Sequence, residues 1–169
     1  MPTVIKKLTS EAVEALIEIA RESWEWTYRD IYTNEFIENW ISEKYSREKL
    51  LNEIMRSLSD LDIIFLGSFT KSTLTGFIEL KINANNAELL RLYLKPEYTH
   101  RGIGKSLLLE AEKIMEKRGI VKCSLYVHQQ NSIGFSFYKK NGFEVKDLDG
   151  DHFVMEKITI LKKGNEMRS

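Results

Sequence analysis

Between residues 88 and 106 the chain reads Glu88-Leu89-Leu90-Arg91-Leu92-Tyr93-Leu94-Lys95-Pro96-Glu97-Tyr98-Thr99-His100-Arg101-Gly102-Ile103-Gly104-Lys105-Ser106. The first half reads as a strand and the second as the start of a helix, and the join between them decides the fold. Residues 87–95 favour an extended conformation, and Pro96, which cannot donate to a ladder, ends them. The apolar period then changes. Ile103, Leu107, Leu108, Ala111, Ile114 and Met115 fall on one face of a helix that stops at Gly119. A glycine-containing segment that opens a helix offers free backbone N–H groups and the positive end of the helix dipole, which suits a phosphate. Gly102 and Gly104 allow close approach, and Arg101 and Lys105 add charge. Two nucleotide-binding motifs fail on spacing. A phosphate loop ending at Gly104-Lys105-Ser106 needs glycine at 99, which is threonine, and a dinucleotide loop needs glycine at 107, which is leucine. An ordinary strand-to-helix turn with two glycines remains the competing reading of this segment alone.

Working upstream, residues 62–69 and 74–82 are rich in β-formers, with a hairpin turn over 70–73, and Asn85-Asn86 turns the chain into the decisive strand. Residues 3–8 read as a first strand, after which Thr9 or Ser10 caps a helix with Val13, Leu16, Ile17 and Ala20 inward. An aromatic passage, Trp24-Glu25-Trp26-Thr27-Tyr28, continues through Tyr32. A second helix starts behind Thr33 with Phe36, Ile37, Trp40 and Ile41 inward. A third follows Ser46 with Leu50, Leu51, Ile54 and Met55 inward. Downstream of Gly119, residues 120–127 read as a strand, 131–140 as a helix, and 142–145 with 153–160 as closing strands. This order predicts a mixed α/β fold. Neither the two prolines nor the nine glycines cluster into a linker, so residues 1–160 are expected to form one domain and 161–169 a flexible tail.

The 169 residues are about one domain's worth, and 43% hydrophobic with 30% charged residues favours a folded chain over a disordered one. The 25 Lys and Arg balance the 25 Asp and Glu, which argues against general nucleic-acid or membrane-surface binding. The single cysteine, Cys123, excludes an intramolecular disulfide and any site needing two thiolates. His100, His128 and His152 show no metal-ligand spacing, so no metal is expected. Apolar runs such as Leu107-Leu108-Leu109 are far too short to span a bilayer, and Lys6, Lys7 and Glu11 interrupt any signal peptide. A soluble cytoplasmic protein is the expectation. The sequence does not give the oligomeric state and is compatible with a homodimer.

The stretch 88–98, the loop Arg101-Gly102-Ile103-Gly104 and the later block Asn131-Ser132-Ile133-Gly134-Phe135-Ser136-Phe137-Tyr138-Lys139-Lys140-Asn141-Gly142-Phe143-Glu144 resemble the GCN5-related N-acetyltransferase (GNAT) family in order and spacing. The passage Ala20-Arg21-Glu22-Ser23-Trp24-Glu25-Trp26-Thr27-Tyr28, with residues 89–98, is similar to its PaiA-type polyamine acetyltransferases. This resemblance implies an α/β fold with a twisted, mostly antiparallel sheet of about seven strands flanked by helices, a splayed strand pair holding the cofactor. It also implies transfer of acetyl from acetyl-CoA to an amine such as spermidine or spermine. A peptide or protein amino terminus is the alternative acceptor, and a non-catalytic coenzyme A-binding module the alternative class.

By the same resemblance, the pantetheine arm runs along Leu92, Tyr93 and Leu94, with the Leu92 N–H as oxyanion donor. The phosphates meet Thr99, His100, Arg101, Gly102, Ile103, Gly104 and Lys105. Thr99 departs from the Gln or Arg usual at its position. Asn131 combines a helix cap with a pantetheine contact, or is a cap alone, and Lys140 either reaches toward a phosphate or is a solvated lysine. Tyr138 is the expected general acid for the departing thiolate, against a packing role among Phe135, Phe137 and Phe143. An alkylammonium near pKa 10 must lose a proton before it attacks. Strict alternation places Glu88 on one face with Leu90, Leu92 and Leu94, where desolvation would suit a base; a bulge, common in this strand of the family, would shift the alternation, and an exposed carboxylate at the strand start is the competing reading. Glu79 is its competitor, either at the acceptor site or as a solvated partner of Lys81. Trp24, Trp26, Tyr28 and Tyr32 are read either as an acceptor wall, since ring faces attract ammonium groups, or as packing aromatics. No nucleophile for an acetyl-enzyme is evident. Cys123, in a strand, is expected to be buried and inert.

Overall fold

The structure, a computed structural model, describes residues 2–59 and 61–159. The expected tail 161–169 lies outside the described residues. Seven strands and five α-helices follow in chain order: β1 (Thr3–Lys7), α1 (Val13–Tyr28), α2 (Asn34–Lys44), α3 (Arg47–Leu58), β2 (Ile63–Thr70), β3 (Thr73–Asn83), β4 (Asn86–Leu94), α4 (Ile103–Lys117), β5 (Lys122–His128), α5 (Ser132–Lys140), β6 (Glu144–Asp149) and β7 (His152–Ile158). The strands form one sheet in the order β1-β2-β3-β4-β5-β7-β6. Among the described residues only β4 and β5 pair in parallel, over Asn86–Glu88 and 122–124; beyond that rung the two strands diverge. This is the expected GNAT fold with its splayed pair.

Helices cover both faces of the sheet. On one side α1, α2 and α3 pack through Leu16, Ile19, Ile37, Ile41, Leu50 and Ile54 onto Phe65 and Phe77. On the other, Leu107, Leu108, Ala111 and Met115 of α4 pack onto Ile64, Ile78, Leu80 and Leu89. Strand β2, buried along nearly its whole length, accordingly reads as an unbroken apolar run rather than an alternating one. Caps set two helix starts as expected: the Thr33 and Ser46 hydroxyls accept from the N–H groups of Phe36 and Lys49. The first helix differs. The Thr9 side chain makes no capping bond, and a single 3₁₀ turn, Ser10–Ala12, precedes α1. Met55 and Phe36, expected inward, are exposed. The buried stripe of α3 is narrow, limited to Leu50, Ile54 and Ser57, while Phe36 stacks on Tyr32 at the surface. Among the described residues no helix is long and apolar enough to cross a membrane.

Candidate active site

The candidate site is the gap that opens between β4 and β5. A β-bulge in β4 forms it: Glu79 of β3 faces Arg91, but the next residue, Leu80, faces Leu89, leaving Leu90 as the extra residue. The bulge overturns the alternation expected for Glu88. Leu89 before it and Leu92 and Leu94 after it lie on the α4 side. Glu88 instead shares the opposite side with Arg91 and Tyr93, directly across from Lys81. It stands half-buried at the last rung before the gap, opposite Ser124.

Backbone direction changes phase at the same point. Before the bulge, the Asn85 carbonyl accepts from Val121 N–H at 2.8 Å, so odd-numbered residues turn toward β5. After it, Lys95 N–H donates to the Thr75 carbonyl at 2.8 Å, so odd-numbered residues turn toward β3. Leu92 and Leu94 therefore present their N–H and C=O groups to the gap. Tyr93, expected beside them, does not; its backbone faces β3, and its hydroxyl accepts from Trp24 Nε1 at 3.1 Å.

The loop ahead of α4 leaves the helix start open. Gly102, at φ +81°, is the residue ahead of the helix, with no side-chain cap and no acidic residue in the first turn. The first N–H groups of α4 are thus left for a ligand. A Cβ on Gly104 would stand 3.3 Å from the Phe137 ring. His100 is exposed and also at positive φ, and Ile103 is buried in the core. Arg101 and Lys105 are exposed, Arg101 with its guanidinium 5.0 Å from the Tyr98 ring. Thr99 donates its hydroxyl to the Pro96 carbonyl at 2.8 Å, closing the turn behind the loop.

Across the gap, Asn131 caps α5 as expected, its Oδ1 accepting from Gly134 N–H at 3.0 Å. Tyr138 packs edge-on against Phe137 and Phe143, and its hydroxyl has no hydrogen-bond partner among the described residues. Burial, with Tyr93 and Tyr28 nearby, holds the Tyr138 phenol well above its ordinary pKa, so it keeps its proton. Lys140, at the end of α5, is exposed. Cys123 is buried, its thiol pushed up to about 12 chiefly by burial, which leaves it a protonated and poor nucleophile.

The aromatic passage divides. Trp24 and Tyr28, four residues apart, share a face with ring centroids 4.4 Å apart, and the row continues through Tyr32, Phe36 and Trp40. Trp26 points the other way, half-exposed over Arg29 in a surface cleft of about 770 Å³ with Glu22, Glu25, Glu38 and Glu97. Two residues along a helix is a turn of roughly 200°, so Trp26 and Tyr28 cannot line one wall. Glu79 is corrected more sharply. It is fully buried, and its Oε1 accepts from Arg91 Nη1 at 2.7 Å, while Lys81 is exposed. Burial, and then the neighbouring Glu53 carboxyl, raise the Glu79 carboxyl well above the usual carboxylate range.

Sequence reasoning missed a group at the open end of the gap. His128 Nδ1 accepts from Gln130 N–H, and its Nε2 lies 3.1 Å from Asp151 Oδ2, which makes Nε2–H the donor. Asp151 also meets His152 Nδ1 at 2.7 Å, and the His128 ring sits edge-on to Tyr28 and Tyr32. Strand pairing joins these residues, and no spacing signals it.

Residues 13–143 match the model of the Acetyltransferase (GNAT) family. The chain belongs to this family. It is 71% identical over 157 residues, 93% of this chain and 98% of the other, to the spermidine N(1)-acetyltransferase of Thermoplasma acidophilum. Among solved structures, the PaiA N-acetyltransferase of the same organism in complex with coenzyme A superposes with a TM-score of 0.93 at 70% identity, covering 94% of this chain and 99% of that one. The ribosomal-protein-S18-alanine N-acetyltransferase of Escherichia coli shares the GNAT fold at 15% identity, with a TM-score of 0.71 over 94% of each chain.

Proposed function

We propose that this GNAT acetyltransferase moves an acetyl group from acetyl-CoA directly to a primary amine of a polyamine, spermidine or spermine. The observation that carries the acceptor is the 71% identity, over nearly the full length of both chains, to a spermidine N(1)-acetyltransferase. The geometry supports the donor. The start of α4, with no side-chain cap on its first N–H groups, suits the phosphates, and the free strand edges of Leu92 and Leu94 suit the pantetheine arm, with Asn131 as a further contact. Among these, Arg101 and Lys105 supply charge to the phosphates, with Gly102 and Gly104 keeping the approach open.

The chemistry is attack of a free amine nitrogen on a thioester carbonyl. Leu92 N–H faces the gap and accepts the negative charge that develops on the carbonyl oxygen. As the C–N bond forms and the C–S bond breaks, the Tyr138 hydroxyl gives its proton to the leaving sulfur, and the second proton, shed by the attacking nitrogen, returns to Tyr138 through water, leaving a neutral amide and a free thiol. Glu88, at the closed end of the gap, takes the proton of the ammonium, through water. Tyr32, half-buried in the aromatic row, offers its ring to the alkylammonium chain, backed by the buried Trp24 and Tyr28. The test is an amine panel (spermidine, spermine, short diamines and peptides with a free amino terminus), read by mass detection of acetylated product and by thiol release. Spermidine and spermine as the best acceptors support the reading. Turnover confined to peptides, or coenzyme A binding without turnover on any amine, refutes it.

A further inference from the structure

Arg91 is the residue next to the extra position of the bulge, and it is tied on three sides. Its Nη1 donates to Glu79 Oε1 at 2.7 Å on β3 and to Glu53 Oε2 at 2.8 Å on α3. Its Nη2 donates to the Lys44 carbonyl at 2.8 Å at the end of α2, and the guanidinium lies 4.4 Å from the Tyr45 ring centre. The side chains are withdrawn from water, with Arg91 13%, Glu53 23% and Glu79 0% exposed. The sole buried atom of this cluster left without a partner among the described residues is Glu79 Oε2. Burial and the neighbouring Glu53 carboxyl raise the Glu79 carboxyl well above the usual carboxylate range, which favours its uncharged form in this water-poor cluster.

The bulge itself needs an anchor. A strand continued without it would keep odd-numbered residues turned toward β5, and Arg91 and Tyr93, not Leu92 and Leu94, would offer their N–H groups to the gap. We propose that Arg91 is a positioning residue for the reaction: its fork, held by Glu79, Glu53 and the Lys44 carbonyl, pins the bulge and so aims the Leu92 N–H at the thioester oxygen. The inference rests on the reading of Leu92 as oxyanion donor. Lysine carries the charge but not the planar fork, and it cannot hold three acceptors in this geometry.

The test uses the full chain with Arg91→Lys and Arg91→Gln; where Arg91→Gln fails to fold, Arg91→Lys carries it. Three quantities are read: the amide ¹H–¹⁵N shifts of Leu92 and Leu94, kcat and KM for each substrate, and calorimetric binding of coenzyme A. The expected result is displaced Leu92 and Leu94 amides with kcat lowered about 10–100-fold, short of complete loss of an oxyanion donor. Coenzyme A affinity should change only a few-fold, because the phosphate loop is intact. Undisturbed amides in a folded variant overturn the clamp. Displaced amides with wild-type kcat overturn the oxyanion role of Leu92, and with it this inference. Equal losses in kcat and coenzyme A affinity point to a merely structural role and also overturn it.

Discussion

Replacing Tyr138 by phenylalanine isolates the one atom that separates a general acid from a packing ring. The ring contacts to Phe137 and Phe143, at centroid distances of 5.4 and 5.7 Å, survive the change. The hydroxyl makes no hydrogen bond among the described residues, so its removal breaks none. Stability should therefore move by less than about 1 kcal/mol, and not necessarily downward. Loss of a general acid costs about 10²-fold or more in rate, or about 2.7 kcal/mol at 1.36 kcal/mol per decade. That loss should fall on kcat, with KM for acetyl-CoA changing much less, because the proton moves only as the C–S bond breaks. The wild-type pH profile carries a further sign. Burial raises the Tyr138 phenol well above its ordinary pKa, so the acid stays protonated through neutral and mildly alkaline pH. No alkaline loss of rate from this group is expected below about pH 10. The assay is steady-state thiol release with each substrate varied, paired with a melting curve. Wild-type kcat in a stably folded Tyr138→Phe protein refutes the acid and leaves the chemistry to the Leu92 N–H and positioning.

Gly102→Val should weaken coenzyme A binding in titration calorimetry and cost about 1–2 kcal/mol, because valine at positive φ is strained; Gly104→Val should do both through the Phe137 ring 3.3 Å from its new Cβ. Unaltered affinity in either folded variant removes the phosphate from this loop. Asn131→Asp keeps the oxygen that caps α5 but loses the amide donor, so the melting temperature should hold while coenzyme A affinity falls; Asn131→Ala should also lose about 1 kcal/mol of stability. Equal affinity for wild type and Asn131→Asp leaves the residue a cap alone. Glu88→Gln should depress the rate most below neutral pH, where the ammonium form dominates. A pH–rate profile superimposable on wild type passes the base to water, since Glu79 is sealed from solvent.

The strand, glycine turn and helix over residues 87–119 were legible because each rests on a local pattern: β-forming residues ended by Pro96, glycines where a helix begins, and a 3.6-residue period from Ile103 to Met115. Caps at Thr33, Ser46 and Asn131 were legible for the same reason, since a cap bonds an N–H three residues on. The division of Trp26 from Tyr28 was present in the period too, once helix α1 is known to run through both. The phase of β4 was not. Alternation counts residues along one strand, whereas a bulge is a mismatch between two strands, anchored here by Arg91 to carboxylates 12 and 38 positions upstream and to a helix-end carbonyl. The burial of Glu79 and the meeting of His128 with Asp151 have the same origin. Periodicity determines which elements form and which faces they bury. The direction in which a particular N–H or carboxylate points is settled by hydrogen-bond register between distant segments, where one inserted residue reverses every assignment beyond it.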